Sequence, residues 1–353
     1  MMKYLYTINK DMFSKIRFGI SIILFGIIGL FLWKSFDIAE YREHHAQISS
    51  ERLSIENKQI FEKEVHIRVS PEKEEWFIEY INWARKEIRI ALYMFTLPSL
   101  MEALLRAKNR GVDVKIILEK NPYNAVSTNR EASQFFRKNN ISFYETDSSY
   151  FTFMHAKYMI IDDMWIISTG NWTRSTFSSN RDFFVFWENT IIMQDLKDLF
   201  ERDLLDKAWN WHDSRILVWP TNARERILQF VHSSIHEIDI YMPELTDTGI
   251  IWELQKICSQ GKMIHILLDQ KTENMRKEES ISHKWCPEIR EMKHPSLHAK
   301  AIIVDKERAF IGSFNFTKNS LENNREIGIF IYWNSIKNIV NTFQKDWKKS
   351  VAF

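Results

Sequence analysis

Two short stretches of the chain carry the same chemically capable residues at the same spacing. His155-Ala-Lys157 is followed at a fixed interval by Asp162, and His298-Ala-Lys300 by Asp305 at the identical interval. Beyond each aspartate comes an asparagine-bearing segment, STGNWT containing Thr169 and Asn171 in one copy and GSFNFT containing Ser313 and Asn315 in the other. Asn180-Arg181-Asp182 and Asn324-Arg325-Glu326 then follow, and the interval from Asn171 to Asn180 equals that from Asn315 to Asn324. Residues two apart in an extended strand project to one face, so His155 and Lys157 point together, as do His298 and Lys300. One such match is ordinarily a surface histidine beside a solvated lysine. Two, with matched asparagines and matched Asn-Arg-acid triplets behind them, call for a functional explanation.

A phosphodiester is a substrate that such a set of groups can handle. The negative charge of a phosphodiester repels nucleophiles, and Lys157, Lys300, Asn171 and Asn315 can bind its non-bridging oxygens and stabilise charge in the transition state. One imidazole attacks phosphorus and forms a covalent intermediate. The other protonates the leaving alkoxide, then deprotonates the incoming water or alcohol. Both must reach one phosphate, so the two copies are expected to pack about a pseudo-twofold axis. Each imidazole also needs an acid on its other ring nitrogen. Metal chemistry fits poorly: each motif histidine is paired with a lysine, and the chain has no HExxH and no CxxC pair. No metal and no cofactor are expected.

At these residues the chain resembles the phospholipase D superfamily, whose signature is the duplicated His-Lys-Asp motif. The resemblance covers roughly residues 65 to 350. It implies a metal-independent site in which His155 is the nucleophile and His298 the acid, and in which Asp182 and Glu326 fix the imidazole tautomers. Asp162 and Asp305 are counted with the catalytic motif, although fixing the local fold is the role expected of them. The chain departs from the pattern where the turn after Asp162 is one residue shorter than that after Asp305, and where Ser168-Thr169 replaces the usual Gly-Ser kept as Gly312-Ser313. Thr169 still supplies a hydroxyl.

The elements that must hold these residues repeat with them. VHIRVSP (65–71) and RILVWP (215–220) each read as a short strand closed by proline, followed by helical stretches from Glu72 and Ala223. Strands at 88–94 and 238–242 come next, then helices over 100–109 and 250–259 that end at Gly111 and Gly261, then the apolar strands VDVKIIL and MIHILL. Parallel strands joined by crossover helices give an α/β/α sandwich. The expected fold is α/β, two such units at 65–210 and 211–353, with 121–150 and 270–295 as irregular connections. Cys258 and Cys286 read as two unpaired core thiols, with a single disulfide as the alternative if the domain sits in an oxidising compartment. Trp172 and Phe316 read as core, as does the aromatic run Tyr150, Phe151, Phe153 beside the first motif, for which lining a lipid or base pocket is the alternative.

Ahead of the repeat, residues 18–33 read FGISIILFGIIGLFLW, without a charge and bounded by Arg17 and Lys34. The segment is expected to be an uncleaved transmembrane helix (18–34), preceded by a basic terminus (1–17) and followed by a polar stalk (35–64). The excess of Lys10, Lys15 and Arg17 places the N-terminus in the cytoplasm and the catalytic region outside it. The first 34 residues carry about +4 of the chain's net +2, so the rest is slightly acidic and lacks the basic surface of a protein that tracks long nucleic acid. Three functions remain: a membrane-anchored phospholipase D acting on phospholipid headgroups, a nuclease of the same superfamily, and a silent membrane-tethered binding protein. The first is favoured, as a monomer with both half-sites in one chain.

Overall fold

The computed structural model describes residues 65–125, 127–188, 190–207, 216–220, 223–269 and 286–352. The apolar segment at 18–33 lies outside them, and among the described residues no helix is long and apolar enough to cross a membrane. The first half runs β1 (His66–Val69), α1 (Glu75–Trp83), β2 (Glu87–Leu92), α2 (Pro98–Asn109), β3 (Asp113–Leu118), α3 (Arg130–Lys138), β4 (Ser142–Glu145), β5 (Tyr158–Ile161), β6 (Met164–Ser168), α4 (Arg174–Ser178), β7 (Asn180–Arg181), β8 (Phe183–Trp187) and α5 (Thr190–Leu204). The second repeats the plan: β9 (Ile216–Trp219), α6 (Ala223–His232), β10 (Glu237–Tyr241), α7 (Thr248–Ser259), β11 (Met263–Asp269), β12 (Glu288–Met292), β13 (Ser296–Leu297), β14 (Ala301–Val304), β15 (Arg308–Gly312), α8 (Lys318–Glu322), β16 (Glu326–Tyr332), α9 (Lys337–Lys349) and β17 (Val351–Ala352).

Each half is a mixed sheet packed with helices. The seven-stranded sheet is ordered β1-β8-β6-β5-β2-β3-β4, and the eight-stranded one β17-β12-β11-β10-β14-β15-β16-β9. Only β2-β3-β4 and β10-β11-β12 are parallel; the rest of each sheet is antiparallel. The opening strands β1 and β9 therefore do not start a parallel βαβ unit as expected. They pair antiparallel with β8 and β16 at one side of each sheet. The connections expected to be irregular contain α3, β4 and β12, short elements whose polar faces hid them. The central strands are continuous apolar runs because both faces are covered: Ile88, Ile90, Leu92 and Ile116 meet α1, α2 and α3 in one core, and Ile238, Ile240 and Ile266 meet α6 and α7 in the other. Gly111 and Gly261 follow α2 and α7 with φ of 93° and 92°, left-handed values that let each helix end and turn into its strand.

The two cysteines are joined, with Cα atoms 5.8 Å apart, which corrects the reading of two free thiols. The bond ties the end of α7 to the chain entering β12. A lone pair 28 residues apart has no spacing signature, so only the fold brings the two sulfurs together.

Candidate active site

The site lies where the halves exchange short strands. β13 pairs parallel with β7, Ser296 opposite Asn180 and Leu297 opposite Arg181, and Met154 forms the equivalent bridge with Arg325. The backbone N–H of His155 donates to the carbonyl of Arg325 (2.9 Å) and that of His298 to the carbonyl of Arg181 (3.2 Å). The arginines are themselves clamped across the halves. Arg181 bonds Asp346 of α9 at 2.7 and 3.0 Å, and Arg325 bonds Asp203 of α5 at 2.9 and 2.8 Å. Burial pushes the Asp203 carboxyl up to about 6 despite Arg325.

This exchange hands each histidine an acid from the opposite half. His155 Nδ1 donates to Glu326 at 2.8 Å, and His298 Nδ1 donates to Asp182 at 2.9 Å. Both acids are fully buried. Each carboxylate fixes the Nδ1–H tautomer and leaves Nε2 for chemistry. The two shells differ. Glu326 also accepts from Ser313 Oγ (2.5 Å), Ser320 Oγ (2.5 Å) and Asn324 Nδ2 (3.2 Å). Asp182 accepts from Thr169 Oγ1 (2.7 Å), while its Oδ2 is buried with no partner among the described residues.

Lys157 and Lys300 are buried behind the imidazoles, each donating to the carbonyl oxygen of its own motif histidine, Lys157 at 2.5 Å. Burial, reinforced by Lys300, lowers Lys157 to about 7, and burial lowers Lys300 to about 8 against the pull of Asp182. A bound phosphate monoanion reverses this by favouring the charged ammonium. Burial also lowers His155 to about 4, against the raising effect of Glu326 and helped by Lys157, so His155 is a neutral imidazole at ordinary pH. His298 is lowered by burial and the two lysines, with Asp182 opposing. Burial alone would raise Glu326, but His155, Lys157 and Ser313 outweigh it and keep it a carboxylate. Asn171 and Asn315 each keep a buried side-chain carbonyl oxygen without a partner among the described residues. Their amide heads are not spent on holding the fold and can donate to phosphoryl oxygens.

The structure thus brings together His155, His298, Lys157, Lys300, Asn171, Asn315, Asp182 and Glu326. Thr169 and Ser313 are set behind them, on the acids. Asp162 and Asp305 are not at the site, which corrects their place in the catalytic group. Both sit at the far ends of β5 and β14 in left-handed turns (φ 50° and 53°). Asp162 accepts the backbone N–H groups of Arg85, Lys86 and Glu87 at 2.8, 2.8 and 3.0 Å; Asp305 accepts those of Ile235, His236 and Glu237 at 2.9, 2.8 and 3.0 Å. Burial opposes ionisation of each, but the backbone bonds win and hold both pKa values low. They fix the turn that starts each central strand, as expected. Trp172 and Phe316 are core; Phe151 instead lies under the Arg325 guanidinium at 5.0 Å. Sequence reasoning missed Ser320, whose hydroxyl has a counterpart, Thr176, at the offset that relates Asn171 to Asn315. It also missed Tyr93, whose ring edge meets His155 at 4.7 Å and whose face carries the Lys157 ammonium at 5.4 Å.

Two tautomer-locked imidazoles, each within electrostatic reach of both lysines, with two asparagine carbonyl oxygens left without a partner among the described residues, fit a phosphodiesterase-type centre. The model of the family described as "cardiolipin synthase, PLD-like domain" matches residues 77–204 and 227–347, and the chain belongs to this phospholipase D-like family. Among curated proteins it is 28% identical over 125 residues to the mitochondrial cardiolipin hydrolase of Xenopus laevis, an alignment covering 34% of this chain. The chain spans about half the length (55%) of that relative. Phosphatidylserine synthase of Haemophilus influenzae shares the fold at a TM-score of 0.67 and 13% identity, over 86% of this chain and 91% of that one. Polyphosphate kinase of Porphyromonas gingivalis shares it at 0.63 and 19%, over 83% of this chain and 48% of that one.

Proposed function

We propose that the protein is a membrane-anchored phospholipase D-type enzyme that hydrolyses or transfers phospholipid headgroups through a phosphohistidine. The reciprocal pairing of His155 with Glu326 and of His298 with Asp182 carries the reading. Neutral His155 attacks phosphorus with Nε2; the P–N bond forms as the P–O bond to the headgroup breaks. His298 gives its Nε2 proton to the leaving oxygen. Water or an alcohol then gives a proton to His298 and attacks phosphorus, and the P–N bond breaks. Glu326 stabilises the charge that develops on His155 while it is phosphorylated.

A lipid substrate is supported by the family description, by the name of the cardiolipin hydrolase relative, and by an apolar N-terminal segment that would hold the site near a bilayer. A catalytic region outside the cytoplasm is supported by the charge asymmetry around that segment and by the Cys258–Cys286 bond, since disulfides persist in oxidising compartments. The test presents the purified protein with phosphatidylcholine/phosphatidylglycerol vesicles and with single-stranded DNA, and follows product from each. Headgroup release, diverted to a new phosphatidyl-alcohol by added primary alcohol, is expected. Turnover of DNA alone would replace this reading with a nuclease, and turnover of neither with a silent binding protein.

A further inference from the structure

The two rims of the phosphate site do not match. The N–H of Trp172 donates to the Met94 carbonyl at 3.0 Å, and the N–H of Phe316 to the Glu244 carbonyl at 3.1 Å. Phe95 bridges Trp172 as Leu245 bridges Phe316. Met94 and Glu244 are therefore equivalent positions, each beside the asparagine-bearing turn of its half, and Tyr93 is the equivalent of Pro243. The first-half rim is apolar and aromatic. Tyr93 packs on His155, Phe153 lies 6.2 Å from Tyr93, Tyr123 lies 6.4 Å from Phe153 and is 69% exposed, and Met94 is half-buried. The second-half rim carries Glu244, exposed and with no side-chain hydrogen bond or ion pair among the described residues. Its backbone carbonyl holds the turn that bears Asn315, and its charge lies within electrostatic reach of Lys300, after Asp182, and of Tyr93, after Glu119 and Glu326.

We propose that the two halves sort the two ester arms of the substrate. The apolar arm lies along Tyr93, Met94, Phe153 and Tyr123, and Glu244 selects a headgroup that bears an ammonium over one that bears an anion. This deepens the phospholipid reading and rests on it. The arrangement agrees with the division of labour at the histidines. The arm retained on His155 belongs on the first-half side, beside Tyr93, and the leaving arm protonated by His298 on the second-half side, beside Glu244. A carboxylate attracts a cationic group and repels an anionic one, more weakly as salt rises.

The experiment uses the full chain in mixed micelles holding phosphatidylethanolamine, phosphatidylcholine, phosphatidylglycerol or cardiolipin singly at equal surface concentration. Bis(p-nitrophenyl) phosphate turnover normalises for active centres. In the wild type, kcat/KM for the two amine headgroups should exceed that for the two anionic ones by about tenfold, or about 1.4 kcal/mol. Glu244→Gln should compress that ratio towards unity, and Glu244→Lys should reverse it. Ethanolamine should also outcompete glycerol 3-phosphate as acceptor in the wild type, a readout that needs no variant. A headgroup order untouched by both substitutions, or a wild-type preference for the anionic lipids or acceptor, overturns the proposal. If the chromogenic diester is turned over and no phospholipid is, the phospholipid reading itself falls and takes this one with it.

Discussion

Glu326 and Asp182 serve their histidines from opposite halves, and the difference lies in how much each is held. Glu326 accepts from two hydroxyls and an amide besides His155; Asp182 accepts from one hydroxyl besides His298 and keeps an Oδ2 with no partner among the described residues. The His155 side chain is 12% exposed and the His298 side chain 29%. A nucleophile that carries phosphorus through an intermediate gains from a rigid acid. A proton carrier that must meet both a leaving group and water gains from being nearer solvent. The duplication keeps the geometry, and the unequal shells support the roles proposed for the two histidines.

Removing either imidazole should have the largest effect. His155→Ala and His298→Ala are each expected to lower kcat by about 10³-fold or more with the fold retained. Acid quenching during turnover should trap phosphorus label on His155 only. Label on His298 would reverse the assignment of roles.

The unequal shells predict unequal costs for neutralising the acids. In Glu326→Gln the new amide must place an N–H against donors already present, so a loss of about 100-fold is expected. In Asp182→Asn the amide can occupy the unpaired Oδ2 position, and about tenfold is expected. Equal losses in kcat would show that the shells do not distinguish the halves.

Gly170 and Phe314 sharpen the same contrast. A Cβ at Gly170 would lie 2.8 Å from the Asp182 carboxyl and 2.6 Å from Thr176, so Gly170→Ala should displace the acid of His298 and lower kcat by about tenfold. Phe314, at the equivalent position, is buried core; Phe314→Ala should cost about 3–5 kcal/mol of stability, read by denaturant unfolding.

The smallest effect is on pH. His298 must be protonated to act, and burial with Lys300 and Lys157 lowers its pKa below 6.5 in the free enzyme. The proton is lost as pH rises, so kcat/KM should begin to fall on the acid side of 6.5, with Lys157 adding to the fall near 7. A bound phosphodiester raises both groups, so the alkaline limb of kcat should lie higher in pH than that of kcat/KM. Lys157→Arg should remove the component near 7. Coincident limbs in the two profiles would show that the bound phosphate does not shift these groups.

The site was legible in the sequence to the extent that its residues sit at fixed offsets along two strands. The histidines, lysines, asparagines and Asn-Arg-acid triplets all announced themselves by repetition. Which acid serves which histidine did not, because that depends on β7 meeting β13 and Met154 meeting Arg325, contacts between distant segments. The aspartates of the motif recur as faithfully as the histidines but sit at the opposite end of the strand and bind the backbone of a distant turn, so repetition alone could not tell support from chemistry. Tyr93 was hidden for the opposite reason: it has no counterpart, since proline stands at the equivalent position. The apolar periodicity that located the central strands could not show that β1 and β9 run antiparallel at one side of the sheets, since partner choice leaves no trace in a four-residue strand.

The lone Tyr93 has a consequence for direction. In a site with true twofold symmetry an asymmetric diester could enter either way round, and half of all encounters would point the wrong ester bond at the proton donor. Carrying both halves on one chain lets a substitution appear once instead of twice. A single aromatic ring beside His155 is then enough to make the two ways of entering unequal, and under the proposed function the substrate would be read from one end.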